Sequence, residues 1–123
     1  MSPSPTACSL TTLFTALADQ TRLRLLHLMQ DREVCVCVLA EVLQLSQPKI
    51  SRHLASLRRS GLVQARRDGK WMHYRVAPLP DARLDAILRA TLLACAQDAA
   101  MQTDQQRLTR ASCDAPALIQ LDQ

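Results

Sequence analysis

The chain has 123 residues, a formal net charge of +4 and 48% apolar residues, but only one Phe, one Trp and one Tyr. That length allows one domain with a modest core, and Leu, Val and Ala must fill it, which suits packed helices. No apolar run is long enough for a transmembrane helix, and no basic stretch followed by an apolar one marks a secretory signal, so a cytoplasmic protein is expected.

Residues 1–8 hold two prolines and small polar residues and read as a flexible arm. Ser9 can cap a first helix with Leu10, Leu13, Phe14 and Leu17 on one face. Asp19 can cap a second, from Gln20 to about Gln30, with Leu23, Leu26 and Met29 or Gln30 along one side. Glu33-Val-Cys-Val-Cys-Val-Leu-Ala-Glu-Val-Leu43 alternates with period two in its first half and can continue as a helix to about Leu43. Gln44-Leu45-Ser46 is then a short turn.

Ser46 to Ser60 reads as the central helix. Ser46 suits its N-cap, Pro48 its first turn and Gly61 the left-handed residue past its end. Ile50, Leu54 and Leu57 fall at i, i+4 and i+7 and form an inner stripe. The start carries Ser46, Gln47, Lys49, Ser51, Arg52 and His53, with donors suited to base edges and phosphates. Alone, such a start also fits a solvated charged face. Two helices joined by a three- or four-residue turn, the second with a polar outward start, form the helix-turn-helix pattern.

Beyond Gly61 the pattern changes to strands. Leu62 to Arg66 and Trp71 to Val76 flank Arg67-Asp68-Gly69-Lys70, which contains the Asp-Gly hairpin signal. Arg66, Arg67 and Lys70 make this hairpin basic, as a DNA-contacting wing requires, although a surface hairpin would look similar. Charge separates the two readings. Lys49 to Arg75 contains eight basic residues and one acid, Asp68, a local charge of +7, while the rest of the chain carries −3. A one-signed patch is the footprint of a nucleic-acid surface, whereas a solubilising surface mixes signs.

Pro78 and Pro80 precede a last predicted helix, roughly Asp81 to Met101. Its Leu84, Ile87, Leu88, Thr91, Leu92 and Cys95 form a stripe longer than one small core needs. With Leu10 and Leu13 of the first helix it could pair two protomers and set two recognition helices about one DNA turn apart. Residues 102–123 read as a polar tail despite a small apolar cluster from Ala115 to Leu121. The expected domain is therefore 9–101: mainly α with a small β-hairpin, a winged helix-turn-helix, homodimeric through its first and last helices.

The five cysteines are Cys8, Cys35, Cys37, Cys95 and Cys113. An odd count in a reducing compartment argues against a disulfide framework. Residues at i and i+2 diverge on a helix but share a face when extended. Cys35 and Cys37 could thus chelate one soft ion only where the segment is extended or unwound; otherwise they are small buried hydrophobes. His27, His53 and His73 are scattered, each reading as a surface or packing residue, and none lies beside the pair in sequence.

Leu13-Phe14-x-x-Leu17-Ala18-Asp19-x-Thr21-Arg22, Glu33-Val-Cys-Val-Cys, Leu45-Ser-Gln-Pro-Lys-Ile-Ser-Arg-His-Leu54 and Arg67-x-Gly69-Lys-Trp-x-His-Tyr-Arg75 together resemble the ArsR/SmtB metalloregulators, over about residues 10–100 and most of all their arsenical-responsive branch. The resemblance implies a homodimeric repressor of an arsenic-resistance operon that leaves its double-stranded operator when As(III) or Sb(III) binds Cys35 and Cys37. It makes Ser46 to His53 the recognition-helix start and Arg67 to Arg75 the wing. It implies no organic cofactor, no membrane partner and no enzymatic activity; two glycines, Gly61 and Gly69, also do not build an anion loop for a thiol enzyme. Relatives often place a third Cys where Ala40 stands here. The third inducer ligand then falls to Cys8, Cys95, Cys113, an external thiol or hydroxide. Cadmium- and lead-responsive relatives use the same pair with arm cysteines, and thiol oxidation is a further possible trigger on the same fold.

Overall fold

A computed structural model describes residues 8–114, with side chains to Ala111. The elements are α1 (Leu10–Leu17), α2 (Gln20–Leu28), β1 (Val34–Cys35), α3 (Val36–Leu43), α4 (Gln47–Arg59), β2 (Val63–Asp68), β3 (Trp71–Val76), α5 (Ala82–Cys95) and α6 (Ala99–Asp114). Helices α1, α2 and α4 start at the expected side-chain caps. Ser9 accepts from the backbone N–H of Thr12, Asp19 from that of Arg22 and Ser46 from that of Lys49. Such caps satisfy donors that a helix start leaves without partners.

The turn between α3 and α4 depends on two special backbones. Gln44 closes α3 in the left-handed region, with φ 57°, and its N–H bonds back to the helix. Gly61, at φ 80°, lets the chain leave α4 and enter β2. Between them, Ile50, Leu54 and Leu57 turn inward with no exposed surface. They meet a core built from Leu13, Leu25, Leu26, Leu39, Leu62 and Leu88. The inner stripe of α4 therefore fixes which face of the helix is left for solvent.

The sheet is larger than the expected hairpin. Its order is β1-β3-β2, all antiparallel, because the alternating residues Val34 and Cys35 pair with Tyr74 and His73 of β3. The hairpin itself closes where Asp68 faces Trp71, so the two-residue turn is Gly69-Lys70, with Gly69 at φ 62°.

The carboxy-terminal half departs from the sequence expectation. The single helix expected from Asp81 to Met101 is two, α5 and α6, broken after Cys95. Asp98 restarts the chain as a cap, its carboxylate accepting from the N–H of Met101. Of the expected tail, residues 102–114 are helical; the Ala115 to Leu121 cluster lies outside the described residues, as does the arm before Cys8. Met101, Leu108 and Ala111 of α6 are buried. Their stripe is hidden in the sequence because Asp104 interrupts it. That carboxylate is also buried, held by Arg24 of α2 through two bonds of 2.8 Å. A charged residue inside an apolar stripe reads as solvent-facing until its partner, 80 positions away, is known.

Candidate nucleic-acid interface and thiol pair

The polar start of α4 is presented as its sequence requires. Ser46, Gln47, Lys49, Ser51 and Arg52 are exposed, and His53 is half-buried. Four of these are helix-start residues whose neighbours Ile50 and Leu54 anchor the opposite face. The N-terminal end of α4 is therefore a rigid, donor-rich projection. The hairpin lies next in sequence and packs on the same helix. Lys70 is exposed at its tip, with its ammonium 5.5 Å from the centre of the Trp71 ring. Arg67 donates to the carbonyl of Gly69 at 3.0 Å, which holds the turn and keeps its charge at the tip. Arg66 differs from the other wing residues. It is bound to Glu33, its Nη2 2.8 Å from Oε1 and its Nε 3.0 Å from both carboxylate oxygens. That guanidinium holds the Glu33 carboxyl below its ordinary range.

The thiol pair sits at the junction between β1 and α3. Cys35 is the last residue of the strand and the N-cap of the helix, with φ −70° and ψ 144°; Cys37 lies in the first helical turn. An extended Cys35 followed by a helical Val36 brings together two side chains that a regular helix would splay. The sulfurs are 3.0 Å apart. Cys35 is buried and Cys37 half-buried. Burial first, then the hydrogen bond to Cys35, pushes the Cys37 thiol up to about 12. Cys37 therefore holds its proton at neutral pH. A thiophilic ion binding here must displace it, and two adjacent sulfurs suit a soft ion.

The described residues supply no third donor at this point. Among them, no group of three His, Cys, Asp or Glu side chains could hold a metal ion. Cys8 is half-buried at the start of α1, its thiol donating to the Ser9 carbonyl at 3.5 Å, and Cys95 is buried at the end of α5. The Cys113 side chain lies outside the described residues. One histidine does reach the neighbourhood. His73 stands opposite Cys35 in the strand register, is buried, and leaves Nε2 without a partner among the described residues. Sequence separation hid this, since only the β1–β3 pairing brings the two together. His27 is buried too, its Nδ1 3.4 Å from the Gln105 amide of α6.

The residues expected at a protomer interface divide. Leu13, Leu84, Leu88, Leu92 and Cys95 are buried within this chain, so their side chains are core and not free surface. Ile87 and Thr91 are half-buried. The large exposed apolar residues of α1 and α5 are Leu10 at 51%, Phe14 at 52% and Leu93 at 72%. Leu93 lies off the i, i+3, i+4 stripe, whose buried members pack against α2 and the core.

Helix-turn-helix, exposed basic helix start and basic hairpin together form the winged helix-turn-helix architecture of DNA-binding regulators. Comparison with known proteins agrees. Residues 19–65 match the family described as bacterial regulatory protein, arsR family. The chain is 57% identical over 67 residues to the arsenical resistance operon repressor of Escherichia coli (strain K12), covering 54% of this chain and 57% of that one. It is 44% identical over 86 residues to the arsenic resistance transcriptional regulator ArsR2 of Pseudomonas putida, covering 69% and 75%. Among solved structures it is similar to the AntR antimony-specific transcriptional repressor, with TM-score 0.56, 33% identity and coverage of 68% and 74%. The chain belongs to the arsR family of transcriptional regulators.

Proposed function

We propose that this chain is a homodimeric repressor of an arsenic-resistance operon, acting in the cytoplasm, released from its operator when As(III) or Sb(III) binds Cys35 and Cys37. The observation that carries the reading is the pair of sulfurs 3.0 Å apart at the start of the helix that packs on α4. The names of the arsenical and antimony relatives support the choice of inducer.

In this reading α4 enters a major groove, with Ser46, Gln47, Lys49, Ser51, Arg52 and His53 at its leading end and Arg66, Arg67 and Lys70 on the adjacent backbone. Leu10, Phe14 and Leu93, rather than the buried stripe, form the contact between protomers. The inducer replaces two thiol protons and takes its third ligand from Cys8, Cys113 or an external thiol; Cys95, buried at the far end of α5, is the weakest candidate. Binding fixes one geometry of the β1–α3 junction. If operator and inducer favour different geometries, each weakens the other by the same factor.

The test is operator binding titrated with arsenite, antimonite, cadmium and lead under reducing conditions. Release by arsenite or antimonite at lower concentration than by cadmium or lead is expected. The reverse order makes the chain a cadmium or lead sensor on the same thiols. Cys35→Ser and Cys37→Ser should each bind operator normally and lose release. If both remain fully inducible, the inducer site is elsewhere.

A further inference from the structure

The ion pair between Glu33 and Arg66 belongs neither to the recognition helix nor to the thiol pair, yet it touches the support of each. Glu33 immediately precedes β1 and lies two residues before Cys35. Arg66 lies in β2, the outer strand of the wing. Because β3 runs between them, the pair bridges the sheet. The two outer strand axes are roughly 9–10 Å apart, so both side chains must extend to meet. They do so with three short contacts, the closest 2.8 Å. Under this bridge lies His73, which faces Cys35 on one side and Arg66 on the other. Cys35, His73 and Arg66 thus form one row across the sheet, closed above by Glu33.

Arg66 nevertheless keeps 54% of its side chain exposed. It carries five donors in a fixed fork, and those turned to Glu33 are not free for a phosphate. A guanidinium so exposed at the edge of a wing can serve two anions in turn, the carboxylate beside the thiols and a phosphate from outside.

We propose that Glu33 is the positioning residue that couples the wing to the thiol strand, holding Arg66 across β3 so that a change at Cys35 and Cys37 alters how much of Arg66 is available to a DNA phosphate. This rests on the assignment of Cys35 and Cys37 as the inducer site. β2 and β3 stay paired at six register positions, whereas Glu33 lies just outside the two-residue pairing of β1, so a change at the β1–α3 junction moves its carboxylate relative to Arg66. Arg66 is then a regulated phosphate contact, unlike Lys70, whose charge has no carboxylate partner among the described residues.

The test measures operator affinity with and without arsenite, taking the ratio as the release factor, in the wild type, Glu33→Gln, Arg66→Gln and the double variant. Arsenite binding is followed separately by sulfur-to-arsenic absorbance. Glu33→Gln should bind operator more tightly, with a salt dependence steeper by about one phosphate contact. It should bind arsenite as the wild type does, and its release factor should fall about two- to fivefold, the range an exposed ion pair can supply. Arg66→Gln should lower the factor similarly, and the double variant should lower it no further than either single one. Glu33→Asp, which keeps the charge but shortens the reach, should reproduce the smaller factor with less change in salt slope. A release factor unchanged in Glu33→Gln, or effects of the two single variants that multiply, would overturn the proposal. Full release in the Cys35→Ser and Cys37→Ser variants would instead overturn the inducer site beneath it.

Discussion

Replacing Asp104 by Asn tests whether α6 is part of the domain. Asp104 is 1% exposed at its side chain and Arg24 is 21% exposed. Two bonds of 2.8 Å make the pair a bidentate one. Breaking a buried ion pair leaves an uncompensated charge and typically costs about 3–5 kcal/mol. Arg24 keeps some access to water, and Asn can still accept one bond from it. About 2–3 kcal/mol is therefore the expected loss for Asp104→Asn. For a domain of this size that corresponds to a fall in melting temperature of roughly 8–12 °C. Urea unfolding followed by circular dichroism measures it. Loss of the pair should also raise amide exchange in α6 and in α3, because Arg107 bonds the Val42 carbonyl and α6 packs along α3. The double replacement Arg24→Met with Asp104→Leu should regain most of the loss, since apolar groups of similar size need no counter-charge. A stability change below about 0.5 kcal/mol for Asp104→Asn, the scale of an ordinary surface substitution, would refute the buried-pair argument.

Lys70→Ala should lower affinity for all DNA sequences alike and make the salt dependence shallower by about one phosphate contact, whereas Arg52→Ala should weaken the operator more than random DNA; equilibrium binding at several salt concentrations separates the two. Phe14→Glu and Leu93→Glu should shift the chain toward monomer in sedimentation while leaving its circular dichroism unchanged, because both side chains are more than half exposed. Inducer affinity should rise with pH between about 6 and 8, up to roughly tenfold per pH unit for each proton displaced, because the raised Cys37 thiol stays protonated there; a flat profile in a thiol-free buffer would contradict it. For folding, the sign is the opposite. A thiol raised from 9.0 to about 12 contributes stability that is complete below pH 9 and is lost as pH climbs toward 12.

What the amino-acid order determined was local and periodic. Ser9, Asp19 and Ser46 cap helices because a short polar side chain before an apolar stripe satisfies a free N–H wherever it occurs. Ile50, Leu54 and Leu57 chose the inner face of α4, and that choice left Gln47, Lys49, Ser51 and Arg52 outside. The basic concentration from Lys49 to Arg75 is a property of the sequence alone. The tertiary structure decided everything that depends on a partner distant in sequence. Asp104 is buried because Arg24 meets it. Leu84, Leu88 and Leu92 are core because α2 lies against α5, which left Leu10, Phe14 and Leu93 as the large exposed apolar side chains. His73 stands beside Cys35, and Arg66 beside Glu33, because two residues of β1 join the edge of the wing. Cys35 and Cys37 could be read as a pair only on condition that their segment was not a regular helix. The strand that ends at Cys35 meets that condition, for its pairing with β3 keeps the backbone extended until the helix begins.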